Sequence, residues 1–201
     1  MTRFLLIRHA DHAAIGRYLA GRAPGLHLSE LGRRQVDVLV AALRGIPLSA
    51  VVSSPLERTC ETAEPISRDH ALKLTIVDDV TEFEVGEWTG RQFTDLDRDP
   101  AWPRFNELRS VTRPPSGELM LEVQARSIAA ILRLCEQYPG GTVAVVFHGD
   151  VIRAVLLYLL GMPIDFLHRV EISPARISII EIDSGQVRVL QVNGDTATPA
   201  V

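Results

Sequence analysis

Apolar and polar positions along this chain fall into blocks of two kinds. "FLLI" (4–7), "SAVVSS" (49–54), "LKLTIV" (72–77) and "TVAVVF" (142–147) are short, nearly continuous apolar runs, the pattern of strands buried on both faces. Between them, apolar residues recur at helical spacing. Leu28, Leu31, Val36, Leu39, Val40 and Leu43 predict a helix over about 30–44 behind an N-cap at Ser29, closed by Gly45 and Pro47. "SPLERTCETA" (54–63) predicts a second, with Ser54 at the N-cap, Pro55 at the first helical position and Arg58 in the first turn. Leu121, Ala125, Ile128, Leu132 and Cys135 mark one face of a third over about 117–137, and a fourth runs over about 151–160. Strands near 169–173, 176–182 and 186–192 complete the pattern.

Strands that alternate with helices imply an α/β fold, with a mostly parallel sheet covered on both faces. Such sheets bind ligands outside the carboxyl ends of their strands. His9 and His148 each stand directly after a buried strand, so both belong on that one edge although 139 positions separate them. The third strand is followed by an irregular acidic segment, "DDVTEFEVGEWTG" (78–90), and by a polar, proline-punctuated stretch over 91–115 that reads as an inserted cap. Residues 1–193 read as one domain and 194–201 as a frayed tail.

Composition narrows the classes of function. With 201 residues, 46% apolar and 23% charged, the chain has the makeup of one globular core. A net charge of −4 argues against a general nucleic-acid or membrane-surface binder, so any anion binding must be local. Cys60 and Cys135 show no CxxC spacing, which argues against a disulfide framework or structural zinc. The N-terminal apolar run is too short for a signal-peptide core, and Gly161 and Pro163 interrupt the longest uncharged stretch, so the reading is a cytoplasmic protein. Nothing in the sequence indicates an oligomeric state.

The chemistry starts at "RFLLIRHADH" (3–12), where Arg8, His9, Asp11 and His12 follow a strand at once. Two imidazoles and a carboxylate on one loop suggest a metal site, yet the set is incomplete without further ligands. The other reading begins with phosphate, which is well served by guanidinium forks and helix N-termini. Arg8, Arg58 and His148 would form such an anion pocket, and a neutral His9 would attack phosphorus within it. The same chemistry needs an acid for the departing alkoxide and then a base for water; Glu82 and Glu84 are the candidates.

Six segments in order resemble the histidine phosphatase superfamily, the phosphoglycerate-mutase-like proteins, over nearly the whole chain. They are "RHA" (8–10), "LSELGRRQ" (28–35), "SSPLERTCETA" (53–63), "VTEFEVGEWTG" (80–90), "PSGEL" (115–119) and "FHGDVIR" (147–153). The resemblance implies a three-layer α/β/α fold and a phosphomonoesterase acting through phosphohistidine at His9. It implies that Arg8, Arg58, His148 and Gly149 bind the phosphoryl group, and that Glu82, at the matching position, is the acid and base ahead of Glu84. The implied substrate is a small phosphorylated molecule, with no metal or organic cofactor and neither nucleic acid nor membrane as a partner.

The departures are Ala10, where the family usually has Gly, and Asp11 and His12, where Glu and Thr or Ser are common. Trp88 reads as packing under the acid loop, and His27, His70 and His168 carry no signal. In the cap, Trp102, Arg104, Phe105, Arg109 and Arg113 either grip a substrate or only close the lid. Two rival functions remain at this level. One is a mutase, against which the chain lacks the "RHGxSxWN" opening of the cofactor-dependent enzymes; the other is a non-catalytic phospholigand-binding module.

Overall fold

The structure, a computed structural model, describes residues 1–183 and 185–195. Six strands form one sheet: β1 (Thr2–Arg8), β2 (Ala50–Ser53), β3 (Leu74–Ile76), β4 (Thr142–Phe147), β5 (Ile177–Asp183) and β6 (Gln186–Gly194), in the order β3-β2-β4-β1-β5-β6. The β1–β4, β4–β2 and β2–β3 pairs are parallel, whereas β5 and β6 add an antiparallel flank. The helices are α1 (Glu30–Leu43), α2 (Glu57–Asp69), α3 (Phe93–Leu96), α4 (Ala101–Glu107), α5 (Met120–Gln137) and α6 (Gly149–Leu159).

The unbroken apolar runs follow from burial on both sides. Phe4 and Leu6 of β1, with Val143, Val145 and Phe147 of β4, pack against α5 and α6; Leu5, Ile7, Ala144 and Val146 pack against α1 and α2 on the opposite face. Each of these aliphatic or aromatic side chains contributes roughly 1.5–3 kcal/mol on burial, so the register of the two central strands is strongly specified. That register fixes where β1 and β4 stop: Arg8 pairs with Phe147, which places His9 and His148 side by side on the next step.

Several expected elements shift, each for a visible reason. Ser29 caps α1 as anticipated, its Oγ accepting from Gly32 N at 3.0 Å. The α2 helix instead begins at Glu57 behind Leu56, because Ser54 Oγ is engaged by His148 Nε2 at 2.7 Å and Thr59 Oγ1 at 3.0 Å. No strand forms near 169–173. There the turn Ile164–Arg169 leads into extended chain whose Ile172 and Val170 carbonyls accept from Arg8 and Arg153 rather than from a neighbouring strand. On α5 the buried residues are Met120, Val123, Ser127, Ile128, Ala130, Ile131 and Leu134, so the expected Ile128 is buried while Leu121 and Leu132 are largely exposed; on α1, Leu31 is likewise exposed. Gly194 still pairs with Ile177, so the sheet extends one residue into the expected tail, and 196–201 lie outside the described residues.

One close approach ties α1 to the loop after β1. A Cβ at Gly32 would stand 2.1 Å from the Asp11 carbonyl oxygen, whereas one at Gly45 would meet nothing within 4 Å. Gly32→Ala is therefore expected to cost about 1–3 kcal/mol in urea unfolding. Gly45→Ala stays within about 0.5 kcal/mol, and equal losses at both sites would refute the steric account.

Candidate active site

The ends of β1 and β4, the first turn of α2 and the loop after β3 converge on a cavity of about 260 Å³ lined by Arg8, His9, Arg58, Glu82 and Gly149, among others. His148 lies fully buried beside them, its ring 5.4 Å from that of His9 between centroids. All six predicted site residues are thus brought together.

The backbone fixes the tautomer and orientation of His9. Its Nδ1 lies 2.9 Å from the Ala10 carbonyl, which can only accept, so Nδ1 carries the proton and Nε2 keeps a free lone pair. The Ala10 amide in turn donates to Thr62 Oγ1 at 3.0 Å, tying this turn to α2. Burial, reinforced by Arg58 and Arg8, pushes the His9 pKa well below the usual 6.5, so the ring is neutral at physiological pH. Burial and Arg58 do the same to His148. Its Nε2 is engaged by Ser54, leaving Nδ1 facing Arg58 Nη2 at 3.5 Å and Glu82 Oε2 at 3.6 Å.

The two arginines are buried and incompletely satisfied. Arg58 Nη2 donates to the Gly21 carbonyl at 2.9 Å, while its Nε and Nη1 have no partner among the described residues. Arg8 Nη1 donates to Ile172 O at 2.5 Å, and its Nε is also unpartnered. Gly149 makes room for it: a Cβ there would lie 3.2 Å from Arg8 Nε. Each buried donor left without an acceptor costs about 1–3 kcal/mol, and more for a charged group. An oxyanion, rich in acceptors and negative, would meet both deficits.

Of the two candidate acids, Glu82 is the one that reaches this space. Burial, then the nearby Asp150, pushes its pKa up to about 7 against the opposing pull of Arg58. Glu84 does not line the cavity; its Oε1 accepts from Gly86 N at 3.1 Å within its own loop. The "HADH" cluster divides in a similar way. His9 and His12 lie 4.9 Å apart, but Asp11 turns away to accept from Ser29 Oγ at 2.6 Å. Among the described residues, no three His, Cys, Asp or Glu side chains converge to hold a metal. Ala10 needs no positive φ and packs with Leu28, Val36 and Ala175, so its Cβ is accommodated.

The outer walls include residues the sequence did not single out. Ile15, Tyr18, Leu19, Phe93 and Trp102 form an apolar side. Facing it, Arg109 donates to Asp150 Oδ2 at 3.3 Å and to Asn106 Oδ1 at 2.9 Å and contacts His168 Nε2 at 3.1 Å, while Arg153 holds Asp150 Oδ1 at 2.7 Å. Asp150 and Arg153 were visible in "FHGDVIR", but His168 had no local signal. Of the proposed cap residues, Trp102 and Arg109 line the cavity and Phe105 lies buried behind them, with the Arg109 guanidinium 4.1 Å over its ring. Arg104 and Arg113 do not line it, and Arg113 pairs with Glu122 at 2.6 Å. Trp88 is packing, as expected: it is 1% exposed, and its Nε1 donates to Asp99.

A model of the histidine phosphatase superfamily (branch 1) matches residues 4–195. The chain belongs to that superfamily. Among the proteins it is similar to is the Bifunctional protein Rv2228c of Mycobacterium tuberculosis, 35% identical over 201 residues that cover 96% of this chain and 54% of that protein. The chain therefore spans about half the length of that relative. Phosphoserine phosphatase 1 of Hydrogenobacter thermophilus is 27% identical over 197 residues, covering 96% and 92% of the two chains. In fold, the chain is similar to Bacillus stearothermophilus YhfR, with a TM-score of 0.91, 24% identity and coverage of 98% and 100%.

A raised carboxyl pKa carries a stability signature. The folded protein holds the Glu82 proton up to about pH 7, whereas an unfolded chain releases it near the ordinary value of 4.5, so stability falls as pH rises through that window. Glu82→Gln should thus stabilise the fold at pH 8 by on the order of 2 kcal/mol and change little at pH 4. Urea melts at the two pH values check this, and an equal effect at both would show that Glu82 is not protonated at neutral pH.

Proposed function

We propose that the protein is a metal-independent phosphatase that hydrolyses small phosphomonoesters through phosphohistidine at His9. The observation that carries this reading is the set of buried, unpartnered guanidinium N–H groups of Arg8 and Arg58 around a neutral His9. Superfamily membership and the phosphatase relative support it.

The steps follow from the geometry. Arg8, Arg58 and His148 Nδ1 hold the phosphoryl oxygens, and Gly149 keeps the space open. His9 Nε2 forms a bond to phosphorus as the ester P–O bond breaks, and the Glu82 proton passes to the departing alkoxide. The dianionic phosphoryl group raises the Glu82 pKa further, so the acid is protonated when it is needed. Glu82, now a carboxylate, takes a proton from water, whose oxygen attacks phosphorus. The P–N bond breaks, releasing phosphate and restoring neutral His9 and protonated Glu82.

In this reading the 91–115 segment is the cap that selects among phosphoesters, and the modest cavity fits small substrates. The enzyme would work in the cytoplasm with Cys60 and Cys135 as free thiols. Among the described residues no helix is long and apolar enough to cross a membrane.

The test uses p-nitrophenyl phosphate and an alkyl phosphate in excess EDTA. His9→Ala should abolish turnover of both, and Glu82→Gln should lower kcat/KM for the alkyl ester by about 10²–10⁴-fold while sparing the aryl ester, whose leaving group needs no proton. Wild-type kcat/KM for the alkyl ester should fall as pH rises through about 7, when Glu82 loses its proton, and this limb should vanish in Glu82→Gln. Undiminished activity in His9→Ala would overturn the mechanism. Conversion of 3-phosphoglycerate to its isomer without free phosphate would make the protein a mutase instead.

A further inference from the structure

The segment "PSGEL" (115–119) lies outside the cavity, yet its backbone is joined to the loop that carries Glu82. Glu87 N donates to Pro115 O and Glu118 N donates to Glu84 O, both at 2.9 Å. The fit is close: a Cβ at Gly117 would stand 2.5 Å from Glu84 O, and one at Gly86 would stand 2.0 Å from Pro115 O.

The side chain of Glu118 extends this join to the acid itself. Its Oε2 accepts from Arg22 Nη2 at 2.7 Å, from the Glu84 amide at 3.0 Å and from Arg126 Nη2 at 3.1 Å, and its Oε1 accepts from Arg126 Nε at 3.1 Å. Both arginines then donate to the Glu82 carbonyl oxygen, Arg22 Nε at 2.7 Å and Arg126 Nη2 at 3.2 Å. Arg126 Nη1 also holds the Asp79 carbonyl at 2.7 Å. One carboxylate thus fixes two cations against the backbone of the proposed acid and takes an amide two residues beyond it.

Within the loop the Phe83 amide holds the carboxyl itself, donating to Glu82 Oε1 at 3.0 Å, while the two arginines hold the backbone on which that carboxyl stands. The loop's regular structure is limited to short 3₁₀ turns, Asp78–Val80 and Gly86–Trp88, on either side of Glu82. Arg22 also follows Gly21, whose carbonyl receives Arg58 Nη2, so the same bridge reaches the phosphate side of the cavity. We infer that Glu118, through Arg22 and Arg126, is a positioning residue that sets the Glu82 carboxyl at the height of the leaving-group oxygen. The inference rests on the reading of Glu82 as general acid.

The experiment measures kcat/KM on substituted phenyl phosphates of graded leaving-group acidity for wild type, Glu82→Gln, Glu118→Gln and Arg126→Ala. This parameter reports the steps up to phosphoenzyme formation, when the acid acts. Glu118→Gln keeps the side-chain shape but loses the charge that holds the arginines. It should spare the nitrophenyl ester within about 3-fold while lowering the unsubstituted phenyl ester by about 10–100-fold, part of the full range of acid catalysis. Arg126→Ala should steepen the leaving-group dependence in the same direction, and melting curves identify any variant unfolded at assay temperature. Equal losses on all esters in both folded variants, or no loss in either, would overturn the positioning role. A wild-type dependence that Glu82→Gln leaves unchanged would instead overturn the reading of Glu82 as the acid.

Discussion

Two guanidinium groups and two imidazoles share a buried space at the carboxyl end of the sheet, and they leave part of one another's hydrogen-bonding capacity unmet. The arginines offer only donors, the histidines are held neutral, and Arg58 keeps two donor nitrogens without acceptors among the described residues. Much of the architecture serves this mismatch. Parallel strands packed on both faces bring Arg8, His9 and His148 to one edge, α2 brings Arg58 in its first turn, and Gly149 omits the methyl group that would crowd Arg8. Such a site has stored its need for an anion in the fold, which is how a preorganised phosphoryl site avoids reorganising when the reaction occurs.

Beside these donors sits a carboxyl whose proton is retained by the same burial. Water-poor surroundings make His9 a free base and Glu82 a weak acid, so one physical cause prepares opposite roles in two groups. The arginines pull Glu82 the other way, and Asp150 offsets part of that pull while tied to Arg109 and Arg153. The polar wall therefore does more than face the cavity: it also adjusts the electrostatics of the proposed acid.

The readable parts of the site were those attached to strongly periodic elements. A strand buried on both faces announces itself as an unbroken apolar run, and the residues after "FLLI" and "TVAVVF" are located by that alone. Glu82 needed the family resemblance because the loop around it has no period, and local sequence does not separate it from Glu84. The structure separates them by where each side chain finds a partner. The strand expected near 169–173 failed because arginine side chains take its carbonyls, a long-range effect with no trace in the local pattern. His168 and Arg22 were missed for a similar reason, since their partners lie 59 and 60 positions away. The α5 face was read only in part: Ile128 is buried and Cys135 packs against the core as expected, but Leu121 and Leu132 are large and exposed, whereas Ser127 and Ala130 are small and buried.

Helix α6 begins at the cavity without a side-chain cap: His148 occupies the N-cap position, but its ring is committed to Ser54 and the interior. The first N–H groups of any helix lack internal partners, and here Gly149 and Asp150 open on the space where the anion would sit. A bound phosphoryl group would then terminate the helix as a serine or aspartate does elsewhere. Occupancy would be felt as tighter ordering of this helix end and greater resistance to heat, lost again on each release of product. On the proposed reading, the substrate is also, for the length of one turnover, a structural part of the protein.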